Sequence, residues 1–290
     1  MRQRSAKTQR SSDSRTPTRH QDPHAHPNPL ELPESRHLAF DQVSCISHSR
    51  NSYMHKMTEI FMTIMDTLPY RVISCFIPEI PSHHKSMLES ISKEFIAPYD
   101  GENPTHVSLL RRLWEGHNKV MFDDCPFEPV HERWKDLGFQ SADPSTDFRG
   151  AGVFALHQLI YLVETYPNHW SRFLAAKDFL ISCVAINVSM RIITLLRMSS
   201  QRNLLSVRMA ENYTNLLAKE KLCKFIYSTN TSVSFYLLAD VFCCYMYVLE
   251  KVWTSSGKSL IEFNRVLEQV CKKFERDICM SNAIDDLCVL

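Results

Sequence analysis

Apolar residues recur every three or four positions along most of this chain, and that spacing limits its possible folds more than any other feature. In the segment 153–163, Val153, Leu156, Ile160 and Val163 follow one another at helical steps. Only six glycines occur in 290 residues, and no stretch alternates convincingly between apolar and polar residues as a half-buried strand would. The sequence therefore predicts an all-α protein, a multi-helix bundle in which helices pack on helices.

The same spacing predicts the order of the helices. The first helix should begin near Asn51, carry a core-facing apolar stripe over 54–68 and end at Pro69. Residues 71–81 fit either extended chain or a short helix. Further helices are expected over 84–96, 104–117, 129–137, 177–198, 201–227, 233–253 and 259–280. The segments 177–198 and 233–253 are apolar enough to resemble membrane spans, but the polar residues inside them favour buried bundle helices.

A second feature is an arginine placed between an acidic turn and an apolar helix. The turn formers and helix caps of this stretch are Asp143, Pro144, Thr146 and Asp147. They predict a helix that begins at Thr146 or Asp147. Arg149 would then lie at the N-terminal end of that helix, where the macrodipole disfavours a cation. Some anionic group must favour it, and Asp143, Asp147 or a group on a partner would serve.

Two glycines stand next to this arginine. Gly150 and Gly152 each disfavour a helix interior by roughly 0.8–1 kcal/mol relative to alanine. Their presence predicts that another segment of backbone approaches the start of the helix closely.

Twelve residues form one motif in this region. They are Trp134, Gly138, Phe139, Gln140, Asp143, Pro144, Thr146, Asp147, Phe148, Arg149, Gly150 and Gly152. In identity and spacing they resemble the central motif of the ELMO domain, in the form found in stand-alone ELMO-domain-containing proteins. Weaker likeness extends over roughly residues 100–275. The chain departs from the family at 154–155 and at Leu162, where the changes are apolar and concern packing.

This resemblance implies both a fold and a function. The fold would be a helical bundle of the ELMO-domain type. Stand-alone ELMO-domain proteins activate small GTPases of the Arf and Arl group, and the motif arginine, here Arg149, is their proposed arginine finger. Such a finger stabilises the charge that develops on the transferring phosphoryl group and is worth roughly a thousand- to a hundred-thousand-fold in rate. GTP and Mg²⁺ would lie on the partner, so no cofactor or metal site is expected in this chain.

Alternative roles for these residues stay open. Arg149 would have a structural role if it formed an ion pair with Asp143 or Asp147 that fixed the turn, and the two roles are compatible. Gln140 would suit a group that positions water, although the GTPase normally provides that residue. The motif aromatics are expected in the core or packed beneath the turn: Trp134, Phe139 and Phe148.

The alternative function is that of a scaffold without catalytic activity. Longer ELMO scaffolds assist DOCK-type exchange factors in Rac-linked cytoskeletal and phagocytic signalling. They share only the ELMO domain with this chain and carry armadillo-like, pleckstrin-homology and proline-rich regions, for which 290 residues leave no room. That difference favours the GTPase activator, which acts on its partner's reaction rather than on a substrate of its own. An adaptor of purely structural function is a third interpretation.

The chain divides into four predicted segments. Composition marks the two ends, helical spacing marks residues 50–99, and the resemblance implies the extent of the ELMO domain. Residues 1–36 are basic and rich in proline, serine and histidine, which predicts a disordered arm, and residues 281–290 are expected to form a flexible tail. Residues 50–99 should form N-terminal helices packed on the core, and residues 100–280 the ELMO domain. A net charge of +1 does not favour nucleic acid as a partner. The arm would either contact an anionic membrane peripherally or remain solvated.

Cysteine usage bears on the compartment. The ten cysteines show no C-x-x-C spacing, and Cys243 and Cys244 lie together in an apolar stretch. This pattern indicates reduced, buried thiols rather than a disulfide framework or a zinc site. The arm also lacks the apolar run of a signal peptide. We therefore expect a cytoplasmic protein that reaches membranes through a partner.

Overall fold

One central helix, α5 (Gly152–Thr165), has other helices packed on several of its sides. The computed structural model describes residues 52–198, 212–257 and 259–280. Within these ranges the chain forms ten α-helices and three 3-10 helices and contains no strand, which confirms the predicted all-α fold. The predicted arm over 1–36 and the predicted tail over 281–290 lie outside the described residues.

Most of the described α-helices follow one another closely, but residues 122–151, which carry two of the 3-10 helices, separate α5 from the helix before it. The α-helices are α1 (Ser52–Asp66), α2 (Tyr70–Ile73), α3 (Ser82–Phe95), α4 (Pro104–Met121), α5 (Gly152–Thr165), α6 (Pro167–Ala175), α7 (Ile181–Leu196), α8 (Tyr213–Phe225), α9 (Thr231–Ser256) and α10 (Phe263–Met280). The 3-10 helices are Glu132–Lys135, Pro144–Arg149 and Leu260–Glu262. α5 packs on α4, α6, α7 and α9, while α10 packs on α8 and α9. α3 lies against α9, and α1 lies against α8.

Local sequence accounts for the bounds of α4. The Asn103 side chain accepts a 2.9 Å hydrogen bond from the Thr105 N–H, and Pro104 occupies the first helical position. The helix ends at Met121, four residues after the predicted end, because Phe122 adopts a left-handed conformation with φ of 54°. The predicted start is therefore confirmed, and the end is corrected.

α5 is more deeply buried than its apolar spacing indicates. The spacing predicts one buried face, but all residues from 152 to 163 are buried except His157. Its polar member Gln158 accepts a 2.6 Å hydrogen bond from the Ser189 hydroxyl of α7. Because neighbours surround α5, its lack of charged residues before Glu164 is a requirement of the fold.

α9 is the described helix that is long and apolar enough to cross a membrane by length and composition alone, yet 78% of its most apolar window is buried inside the protein. Asp240, in its middle, accepts hydrogen bonds of 2.6 and 2.9 Å from the hydroxyls of Tyr161 and Tyr166. Burial raises the pKa of the Asp240 carboxyl to about 6, although these two hydrogen bonds oppose the shift. The burial confirms that α9 is a core helix.

The described cysteines are free thiols. Cys243 and Cys244 are buried in α9, as their apolar surroundings predict, whereas Cys75 is exposed. Burial raises the pKa of the Cys271 thiol to about 12, which keeps it protonated at neutral pH.

Some helix predictions need correction. Of the helix expected over 129–137, only the 3-10 helix Glu132–Lys135 forms. α6 is missing from the predicted helices, although Pro167 at its first position is a recognisable start signal. Residues 71–81, left undecided, begin with the short helix α2. Of the helix expected over 201–227, residues 201–211 lie outside the described ranges.

The prediction that the α1 stripe faces the core is wrong for three of its residues. The exposed fractions are 45% for Met57, 49% for Phe61 and 56% for Ile64. It is confirmed for Met65, which is buried, and for Leu68, which packs against the core. At the end of α1, Asp66 accepts hydrogen bonds of 2.8 Å from the N–H and the hydroxyl of Thr214 in α8. These bonds tie α1 to α8, a contact that the spacing along α1 cannot indicate.

Candidate functional site

The motif arginine lies at the C-terminal end of a 3-10 helix. Asp143 caps this helix, since its Oδ1 accepts a 3.0 Å hydrogen bond from the Ser145 N–H, and Pro144 takes the first position. Arg149 is the last residue of the 3-10 helix, and α5 begins three residues later at Gly152. The single helix start predicted at 146 or 147 is therefore replaced by two starts, one on either side of that position.

Gly152 allows the chain to change direction between the two helices. Its φ is +58°, and a Cβ at this position would lie 2.0 Å from the carbonyl oxygen of Ala97. The same oxygen accepts a 2.9 Å hydrogen bond from the Val153 N–H. The predicted close approach of backbone is confirmed at Gly152. It is wrong at Gly150, where an added Cβ would meet only side chains, the Met190 side chain at an ordinary contact distance of 3.5 Å.

Gly138 anchors the other end of the motif to α7. Its φ is +86°, and an added Cβ would lie 2.7 Å from the carbonyl carbon of Leu180. Next to it, the Leu137 carbonyl oxygen accepts a 3.0 Å hydrogen bond from the Ser182 N–H. Glycine is required here because both the conformation and the close approach exclude a side chain.

Buried aromatic rings lie beneath the motif. Trp134 and Phe148 have no exposed surface, and Phe139 is 4% exposed. The Phe139 ring centroid lies 5.5 Å from that of Trp134 and 5.5 Å from that of Phe148, both in edge-on contacts. The Trp134 indole N–H donates a 3.0 Å hydrogen bond to the Glu128 carbonyl oxygen. The prediction that these aromatics pack in the core is confirmed, and they give the turn a rigid base.

Both acidic residues of the motif bind backbone amides rather than the arginine. Asp147 Oδ2 accepts a 2.8 Å hydrogen bond from the Gln140 N–H, while Asp143 caps the 3-10 helix. Among the described residues, no carboxylate lies within 4.0 Å of the Arg149 guanidinium. The structural alternative, an ion pair with Asp143 or Asp147, is not formed.

Arg149 is exposed, and one of its nitrogens is held by the main chain. Its Nε donates a 2.6 Å hydrogen bond to the carbonyl oxygen of Thr146. Its two terminal nitrogens have no hydrogen-bond partner within the described part of the chain. A neutral carbonyl orients the guanidinium without neutralising it, so the positive charge faces solvent.

Two other arginines of this protein form the ion pairs expected of a structural role. Arg191 donates from Nε and Nη2 to both carboxylate oxygens of Glu275, at 2.6 and 2.7 Å, and its side chain is only 15% exposed. Arg112 makes the same paired contact with Glu164 at 2.6 Å. Arg149 has neither the carboxylate partner nor the burial of Arg191.

The site has no feature of a metal centre or a thiol nucleophile. In the ranges that the structure describes, no group of three or more histidine, cysteine, aspartate and glutamate side chains could hold a metal ion. Cys183, on α7 near Asp147, is half-buried. Burial and the negative charge of Asp147 raise the pKa of its thiol, so the reactive thiolate is disfavoured.

The model of the ELMO/CED-12 family matches residues 89–267, which includes the whole motif and the helices that hold it. The chain belongs to the ELMO/CED-12 family. The matched ELMO region begins within α3 and ends within α10.

Curated relatives align over parts of this ELMO protein. ELMO domain-containing protein 2 of Bos taurus is 27% identical over 190 residues, which is 65% of this chain and 57% of the relative. ELMO domain-containing protein 1 of Mus musculus is 37% identical over 82 residues, which is 28% of this chain and 24% of the relative. Ankyrin repeat and ELMO domain-containing protein D of Dictyostelium discoideum is 41% identical over 71 residues, 24% of this chain and 5% of the relative.

These alignments cover less than two thirds of each relative's length. No solved structure matches the chain significantly.

The partners in two contacts of the ELMO site cannot be identified from the sequence. The hydrogen bond between Asp147 and the Gln140 N–H joins residues seven positions apart in an irregular loop, where no periodic rule pairs them. The approach of Ala97 to Gly152 joins segments 55 positions apart in the numbering. Gly152 itself indicated a close approach of backbone, although not which segment approaches. No feature of the sequence indicated the bond between Asp147 and the Gln140 N–H.

Proposed function

We propose that this protein is a GTPase-activating protein that inserts Arg149 into the nucleotide site of a small GTPase of the Arf/Arl type. The observation that supports this proposal is the state of the guanidinium. Arg149 is exposed and held through Nε, and its terminal nitrogens have no partner among the described residues. A planar pair of N–H donors fits two phosphate oxygens at once, which a lysine ammonium cannot reproduce.

The chemistry requires positive charge at the transferring phosphoryl group. During hydrolysis, negative charge develops on the phosphate oxygens, and a guanidinium supplied by a partner stabilises it by roughly a thousand- to a hundred-thousand-fold in rate. The GTPase would contribute GTP, Mg²⁺ and the phosphate-binding loop. This protein would contribute the positive charge of Arg149, carried by a rigid 3-10 helix. Because the side chain is already ordered before the GTPase binds, little further conformational entropy would be lost on binding.

The rigidity of the base supports the same proposal. Arg149 follows Phe148, which has no exposed surface, and precedes the buried Ala151. The 3-10 helix that carries it is capped at Asp143 and lies along α7. A finger mounted in this way would keep its orientation when it enters a nucleotide site. The partner GTPase would also bring this protein to a membrane.

Single-turnover GTP hydrolysis with a panel of Arf, Arl and Rac GTPases tests the proposal. We expect acceleration of at least one Arf or Arl protein and loss of most of it in Arg149→Lys, with unchanged helical circular dichroism. Arg71→Lys is the matched control, because Arg71 is also exposed but lies on α2. Acceleration that survives in Arg149→Lys would refute the finger, and acceleration of no Arf or Arl protein would refute the activity.

A further inference from the structure

Gln140 and Arg149 are two exposed polar residues of the motif with similar local surroundings. Each follows a buried phenylalanine, Gln140 after Phe139 and Arg149 after Phe148, and each is itself exposed. The two phenylalanine rings touch each other, with centroids 5.5 Å apart and planes at 67°. Since the rings share one buried site, the polar residues that follow them emerge on one surface.

Hydrogen bonds connect both polar residues to the same 3-10 helix, Pro144–Arg149. The Gln140 N–H donates to Asp147 Oδ2 at 2.8 Å, and Arg149 Nε donates to the Thr146 carbonyl oxygen at 2.6 Å. Thr146 and Asp147 are consecutive residues, and Asp147 precedes Arg149 by two positions, a rise of about 4 Å along a 3-10 helix. Gln140 and Arg149 are therefore attached to neighbouring points of one rigid element.

The side chain of Gln140 is available for a partner. Its backbone N–H is used, but its carboxamide makes no hydrogen bond within the described residues, and its surface is exposed. Asp147 therefore fixes where Gln140 emerges without occupying its functional group. Gln140 is held at its backbone and Arg149 at its side-chain Nε, and in both residues the end of the side chain has no hydrogen-bond partner among the described residues.

We propose that Gln140 is a second catalytic side chain, which enters the nucleotide site beside Arg149 and orients the attacking water. This inference rests on the proposed function. A carboxamide suits this task because its oxygen accepts a hydrogen bond from the water while its NH₂ group donates to a phosphate oxygen. Water orientation by a glutamine is an established requirement of GTP hydrolysis. Here the protein that supplies the arginine also supplies this group.

The step balances without any further reactant. The water oxygen forms a bond to the γ-phosphorus, and the bond from that phosphorus to the bridging oxygen breaks, with its electron pair leaving on GDP. Both water protons leave with inorganic phosphate as H₂PO₄⁻. Gln140 is neutral throughout and only orients the water, while Arg149 offsets the charge on the phosphate oxygens.

The decisive experiment uses a GTPase whose own water-orienting glutamine has been changed to leucine. Single-turnover hydrolysis is measured with that GTPase and with the unchanged one, using the full chain and its Gln140→Ala variant. We expect the full chain to accelerate both GTPases. We expect Gln140→Ala to lower the acceleration about 100-fold on each, the order of magnitude found when one positioned neutral hydrogen-bonding group is removed from an active site. Gln269→Ala, an exposed glutamine on α10, is the matched control and should have no effect.

The possible outcomes separate this inference from the proposed function. Full activity of Gln140→Ala on either GTPase overturns the inference. It is also overturned if the full chain loses all acceleration on the leucine GTPase, because Gln140 would then contribute binding alone. Loss of activity in Arg149→Lys together with full activity of Gln140→Ala would leave the arginine finger intact and refute only this inference. Thermal unfolding checks the fold, which the substitution should not change because the Gln140 N–H keeps its bond to Asp147.

Discussion

Arg149 donates its Nε–H to the carbonyl oxygen of Thr146 over 2.6 Å, within the same 3-10 helix. This contact orients the guanidinium plane and leaves its charge intact, because the acceptor is neutral. The neighbouring carboxylate of Asp147 would have neutralised it but binds the Gln140 N–H instead. An arginine that is ordered, exposed and not ion-paired among the described residues is suited to bind a partner's anion.

Substitution of three glycines by alanine should give a graded loss of stability. Gly152→Ala would place a Cβ 2.0 Å from the Ala97 carbonyl oxygen at a φ of +58°, so we expect a loss of about 3 kcal/mol or more. Gly257→Ala has a φ of +61° in open space, and about 1 kcal/mol is expected from backbone strain alone. Gly101→Ala has neither problem and should change stability by less than about 0.5 kcal/mol.

Urea unfolding of the three variants measures this series. Equal stability of Gly152→Ala and Gly101→Ala would show that Ala97 does not approach Gly152 as described.

Asp147→Ala should release the loop that carries Gln140. The Gln140 N–H loses its acceptor, and we expect a loss of about 1 kcal/mol in the free energy of unfolding. Asp147→Asn keeps an acceptor oxygen and should retain most of that stability. Asp124→Ala removes an exposed aspartate and serves as the control. Hydrogen exchange at the Gln140 amide is the direct measurement. Unchanged protection in Asp147→Ala would contradict the hydrogen bond between the Gln140 N–H and the Asp147 carboxylate.

Asp240 should make stability depend on pH. Its pKa is raised in the folded protein from 3.8 to about 6, so the folded state binds the proton more tightly than the unfolded state does. Stability from this group is therefore fully present below pH 3.8 and is lost as the pH rises through about 6. At about 1.4 kcal/mol per pKa unit, the loss reaches up to about 3 kcal/mol.

The Asp240→Asn variant isolates this contribution. Asparagine keeps the oxygen that accepts from Tyr161 and Tyr166 but has no proton to lose. Unfolding free energies of both proteins should be measured between pH 4 and pH 7. The difference between them should change across this range in the direction that weakens the natural protein at higher pH, and parallel curves would count against a raised pKa.

Two arginine–glutamate ion pairs should contribute very differently to the free energy of unfolding. Glu275→Ala leaves Arg191, whose side chain is only 15% exposed, without its main partner, and a loss of about 3 kcal/mol in the free energy of unfolding is expected. Glu164→Ala breaks the pair between Arg112, whose side chain is 35% exposed, and Glu164, whose side chain is 25% exposed. This substitution should lower the free energy of unfolding by about 1 kcal/mol or less. Chemical unfolding in low and high salt distinguishes them. A similar loss in both variants would mean that burial does not control these pairs.

The sequence alone determined the helical architecture and the identity of the motif. Caps such as Asn103 and Asp143 are local, and helical spacing of apolar residues follows from 3.6 residues per turn, so both can be found without coordinates. The aromatic residues of the motif were predicted in the core because their size makes exposure unfavourable.

Tertiary structure alone decided whether Arg149 is paired. The sequence places both Asp143 and Asp147 within reach of it, and only the folded loop, by bringing the Gln140 N–H to Asp147, decides between an ion pair and an available cation. The exposed face of α1 and the burial of α5 on all sides depend in the same way on helices distant in the chain. Local rules describe how each segment folds, but the partner of a charged or apolar side chain is set by which segments meet.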